Sequence, residues 1–108
     1  MLSLVCMFLI GTMTVLAQAK TEKFKVYGNC GMCQTRIEKA AKSVVGVSKA
    51  KWDSDNMMLT VTYDAVKTKV IDIHKAVAKV GHDTDLEKAD NTVYSNLPGC
   101  CKYDRPTK

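Results

Sequence analysis

Residues 24–46 read Phe-Lys-Val-Tyr-Gly-Asn-Cys-Gly-Met-Cys-Gln-Thr-Arg-Ile-Glu-Lys-Ala-Ala-Lys-Ser-Val-Val-Gly, and a change of hydrophobic period within them decides the fold. Ahead of the cysteines, Phe24 and Val26 alternate with Lys23 and Lys25, which predicts a half-buried strand over 21–27. Gly28 and Asn29 interrupt the alternation as a turn. Beyond them Cys33, Ile37, Ala40, Ala41 and Val44 recur at spacings of three and four, the signature of a helix with one apolar face over 32–45, and Gly46 stops it.

Downstream the same alternation of periods returns. Residues 47–53 and 57–63 predict two strands, with Ala50 and Trp52 facing inward on the first and Leu59, Val61 and Tyr63 on the second. Ser54, Asp55 and Asn56 join them as a hairpin. Val66, Val70, Ile73, Val77 and Val80 then mark a second amphipathic helix from about residue 65 to Gly81, and 82–87 predict a short closing strand. The order β-α-β-β-α-β predicts an α+β, ferredoxin-like sandwich, a four-stranded antiparallel sheet with two helices on one face. A chain of 108 residues has room for one such domain, here 20–88, which excludes a multidomain enzyme. Residues 89–108 carry Asp90, Asn91, Ser95, Asn96, Pro98, Gly99 and Pro106 without any period, so they predict a flexible C-terminal tail whose distinctive feature is Cys100-Cys101.

Upstream, 1–19 are uncharged and apolar and end in Ala17-Gln18-Ala19, small at both positions that signal peptidase reads. The apolar run is shorter than the ~20 residues of a spanning helix. The expectation is therefore a cleaved signal peptide that discards Cys6, with no stable membrane insertion afterwards. The protein is expected to be exported, and periplasmic in a Gram-negative source. All charges lie at or beyond Lys20, so the net +5 belongs to the remaining chain. Its lysines are interspersed with acids, as in Glu22-Lys23 and Glu38-Lys39, which is the pattern of a solvated face and not of a nucleic-acid site.

The chemistry concentrates in Cys30-Gly31-Met32-Cys33, at the junction of the first strand and first helix. Unpaired N–H groups and the dipole at a helix start favour thiolates, and two thiolates one turn apart converge on one ion. Arg36 adds positive charge nearby, with a solvated helix position as its plainer reading.

On these residues the chain resembles the heavy-metal-associated domain family of soft-metal chaperones, copper-ATPase modules and exported mercury-binding proteins, in which a G-M-x-C-x-x-C loop joins the same two elements. The resemblance covers most of 21–88 and implies that Cys30 and Cys33 bind the metal. It also implies a metal-exchanging partner such as a metal-transport ATPase. Aligning the cysteines puts Tyr27 where the family has Gly, and Gly28 where it has Met.

Two thiolates without a carboxylate suit a soft ion, Cu(I) first and Hg(II) next, whereas Zn(II) wants about four ligands. His82, after Gly81, is a candidate additional ligand or gate beside its reading as an exposed loop histidine, and His74 is expected on a solvated helix face. Cys100 and Cys101 have three readings: co-ligands on a tail that orders when metal binds, disulfide partners, or inert thiols. The expected function is a metal chaperone or scavenger working by thiolate exchange, without enzymatic activity. The rival is a thiol-disulfide redox protein using the same C-x-x-C, against which stand the element order and the absence of a proline outside the tail.

Overall fold

The computed structural model describes residues 19–106. The leader expectation and Cys6 fall outside the described residues, apart from Ala19. Strand β1 (Ala19–Lys25) leads to helix α1 (Gly31–Lys42), and β2 (Val47–Asp53) and β3 (Met58–Asp64) form the expected hairpin ahead of α2 (Val70–Lys79). In the antiparallel sheet β3 lies in the centre, ordered β1-β3-β2, with Leu59 facing Phe24 on one side and Trp52 on the other. That register puts Phe24, Trp52, Leu59, Val61 and Tyr63 on one buried face, where they pack with Cys33, Ile37, Ala40 and Ala41 of α1 and Ile73 and Val77 of α2. The α+β ferredoxin-like class thus holds.

The fourth strand is where the chain departs from its periodicity. Residues 82–87 pair with the sheet edge only through the bridge of Val26 with Thr84, flanked by Tyr27 N–H to Asp83 O and Asp85 N–H to Lys25 O, so the sheet has three strands among the described residues. Thr84 causes this. Its Oγ1 accepts from Leu86 N–H and Glu87 N–H, and its own N–H donates to Glu87 O, which curls the segment into a turn. Helix α2 likewise begins later than expected, because Asp64 closes a turn first: its carboxylate accepts from Val66 N–H and its carbonyl from Lys67 and Thr68 N–H. Val66 is left exposed as a result.

The segment expected to be a flexible tail is folded against the domain. It forms α3 (Asn91–Ser95), N-capped by the Asp90 side chain, and a 3-10 turn (Gly99–Cys101), and it buries Leu97, Cys101 and Tyr103. Gly81, at φ 110°, makes room for it, since a Cβ there would lie 3.0 Å from Leu97 Cδ2. The Tyr103 hydroxyl donates to Gly81 O at 2.7 Å and accepts from Asp83 N–H at 2.8 Å. Arg105 reaches both oxygens of buried Asp83 at 2.8 Å and also donates to Ala89 O and Asn91 Oδ1. These anchors are side-chain contacts that lie outside the cysteines of the segment.

Candidate metal centre

Cys30 is the N-cap of α1, its backbone extended at φ −134°, and its sulfur sits beside the first-turn N–H of Cys33. Cys33, in the first turn, is fully buried in the core, and its Sγ lies 3.7 Å from that of Cys30. Beneath the loop stands Trp52, whose indole N–H donates to Val26 O at 2.9 Å. A Cβ on Gly28 would meet the Trp52 ring at 3.1 Å and Cys33 Cβ at 3.2 Å. The indole therefore occupies the space that a side chain at position 28 would need. Gly28→Ala is expected to cost about 1–3 kcal/mol by overpacking and to displace Cys33. Chemical denaturation together with metal affinity would show both effects, and an unaltered midpoint would contradict the packing argument.

The tail brings two further sulfurs. Cys100 Sγ and Cys101 Sγ lie 3.4 and 3.6 Å from Cys30 Sγ, and among the described residues Cys30, Cys100 and Cys101 form a group whose sulfurs are all within 4.8 Å of one another. Cys30 is the hub of this cluster. Arg36, for which a solvated position was the plainer reading, places Nη1 3.3 Å from Cys101 Sγ. Met32 lies with Sδ 3.6 Å from Cys100 Sγ, and Asn29 Nδ2 donates to Cys100 O. All four cysteines among the described residues are free thiols.

Electrostatics divide the thiols into one acid and three weak ones. Hydrogen bonding with the Cys33 backbone N–H, then with the thiols of Cys100, Cys101 and Cys33, outweighs desolvation and brings Cys30 down to about 6. Burial pushes Cys33 up to about 11, and it also raises Cys101; the thiol of Cys100 is raised chiefly by its hydrogen bond with Cys30. Cys30 is thus the most acidic of the four thiols. Its alkylation by iodoacetamide is expected to be half-maximal near pH 6, with the other three reacting fully only under more alkaline conditions. Mass mapping of modified peptides from pH 5 to 9 would check the order, and first modification at Cys33 would contradict it.

The histidines are not where the loop and helix patterns put them. His82 is buried, its Nδ1 2.8 Å from Tyr27 O and its ring stacked on Tyr103, and its Nε2 has no hydrogen-bond partner among the described residues. Burial lowers its pKa below that of an ordinary imidazole. His74 is buried too, stacked on Phe24 and 2.6 Å from Thr84 Oγ1. Periodicity missed Asp83, Tyr103 and Arg105 altogether, since their partnership spans about twenty residues of irregular chain.

A sulfur-rich cluster at a helix start, built of acidic and buried thiols without a carboxylate, fits a soft cation. Comparison with known proteins agrees. The sequence profile of the heavy-metal-associated domain matches residues 24–83. The chain is 32% identical over 88 residues to the mercuric transport protein periplasmic component of Shewanella putrefaciens, covering 81% of this chain and 97% of that one. It is 31% identical over 55 residues to the copper chaperone CopZ of Staphylococcus aureus, covering 51% of this chain and 81% of that one. Among solved structures, oxidized MerP from Ralstonia metallidurans superposes with a TM-score of 0.60 at 31% identity, covering 65% of this chain and 99% of that one.

Proposed function

Since the chain belongs to the heavy-metal-associated domain family, we propose that this heavy-metal-binding protein, which is not an enzyme, is an exported carrier of a thiophilic ion, Cu(I) or Hg(II). Cys30 and Cys33 hold the ion in this reading. The observation that carries it is the pair of sulfurs 3.7 Å apart at the open N-terminus of α1, one reachable from solvent and one backed by the core. The helix dipole and free N–H groups stabilise the anionic thiolate complex.

Transfer proceeds by associative exchange. An incoming thiolate bonds the ion before Cys30 or Cys33 releases it, so the cargo is never bare and no bond within a substrate changes. The acceptor is a metal-transport ATPase or another protein that offers thiolates. The leader at 1–19 and the periplasmic placement named for the Shewanella relative support export.

The test is metal retention. Reduced protein mixed with one equivalent of Hg(II) or Cu(I) and an excess of glutathione is expected to keep the ion at 1:1 through gel filtration, and the order of retention names the physiological cargo. Loss of both ions to glutathione, with turnover of a dithiol substrate in their absence, would instead establish the redox reading.

A further inference from the structure

Resting on that soft-metal reading, we propose that Cys100 and Cys101 are ligands as well: residues 97–105 are a built-in clamp that raises the ion's shell from two sulfurs to at least three. The sulfur positions come first. Cys100 and Cys101 stand as close to Cys30 as Cys33 does, at 3.4 and 3.6 Å against 3.7 Å. An ion bonded to sulfur at about 2.3 Å spreads three ligands to roughly 4.0 Å and four to roughly 3.8 Å, whereas a linear pair stands about 4.6 Å apart. The sulfurs of Cys30, Cys100 and Cys101, all within 4.8 Å of one another, already span the spread of a trigonal ion. A linear ion would have to push Cys30 and Cys33 much further apart.

The clamp's anchors flank the two cysteines on both sides. Leu97 seats on Gly81 before them, and Tyr103 and Arg105 bind Gly81, Asp83, Ala89 and Asn91 after them. Ordering of the chain is thereby met by contacts that the ion does not supply, which lowers the entropic cost of recruiting two more ligands. Charge is also provided for. Each thiol that bonds the ion gives its proton to solvent, and the added negative charge lies beside the Arg36 guanidinium, 3.3 Å from Cys101 Sγ, and the N-terminus of α1.

Cys101 is buried while Cys100 is exposed, with Met32 half-exposed beside it. Cys100 is thus the sulfur that an incoming partner thiolate displaces first. A shell closed in this way favours retention, so the clamp suits a protein that sequesters its ion until a thiol-bearing acceptor opens it.

X-ray absorption of the reduced chain loaded with one equivalent of Cu(I) counts the sulfurs. Three or four are expected in the native chain, one fewer in Cys100→Ser, and two in Cys100→Ser/Cys101→Ser, with at least a tenfold fall in retention against glutathione for the double variant. Cys101 is buried, so Cys100→Ser, whose site is exposed, decides the matter alone should the double variant fail to fold. Two-sulfur shells in the native chain and in Cys100→Ser, with Cu(I) uptake still abolished by Cys30→Ser, would overturn the clamp and leave the carrier reading standing. No Cu(I) uptake by the native chain would sink both.

Discussion

Cys30→Ser is expected to lose tight binding of Cu(I) and Hg(II) by about 100-fold or more, because even outer-shell losses at metal sites cost 10–100-fold and this sulfur touches every other sulfur of the cluster. A hydroxyl neither ionises at neutral pH nor bonds a soft ion well. Cys33→Ser should lose binding on a similar scale by a different route, since its sulfur is both a ligand and part of the core. The fold should survive in Cys30→Ser. That residue is only partly buried, while Ile37, Val61 and Ile73 form the core without it. Isothermal titration in competition with glutathione, beside circular dichroism, separates the effects. Native affinity in Cys30→Ser would end the assignment of the site.

Arg105→Ala is expected to destabilise the protein by about 2–4 kcal/mol, somewhat below the ~3–5 kcal/mol typical of breaking a buried ion pair because Arg105 is partly exposed. The Asp83 side chain is wholly buried, and the guanidinium provides two of its hydrogen bonds while Ala89 N–H provides a third. Burial alone would push the Asp83 carboxyl up; Arg105 and the Ala89 N–H outweigh it and hold it below its ordinary value. The sign of the pH dependence follows from that lowering. A carboxyl depressed in the fold contributes stability that is fully present above its unfolded pKa, about 3.9, and is lost as pH falls through the folded value. The gap between the native protein and Arg105→Ala should therefore be widest near pH 7 and narrow below about pH 4. Urea denaturation at pH 7, 5 and 3 would measure it, and a gap that widens on acidification would contradict the pairing.

The two predictions fall on opposite sides of what local pattern reveals. Cys30 and Cys33 were legible because both lie within one turn of a helix start, and the strand before it and helix after it each announce themselves by period. The same holds for Leu59, Val61 and Tyr63, and for Ile37, Ala40 and Ala41, whose burial follows the spacing of the apolar positions. Asp83 with Arg105 left no such trace. A contact between residues twenty or seventy apart, in segments without repeating geometry, imposes no spacing on either segment.

From its sequence alone, then, the order of this protein's first five elements, its α+β class and its two-thiol motif at a strand-to-helix junction were determined, because each is written in residues close enough to share one backbone period. Tertiary structure decided the rest. It seated the indole of Trp52 under the loop in place of a side chain at Gly28 and shrank the fourth strand to the bridge at Thr84. It also buried His82 against Tyr103 and carried Cys100 and Cys101 onto Cys30. The reason is that side-chain hydrogen bonds and shape-matched packing between distant segments outweigh the weak local preference of a polar, Gly- and Pro-containing stretch, which by itself names no conformation.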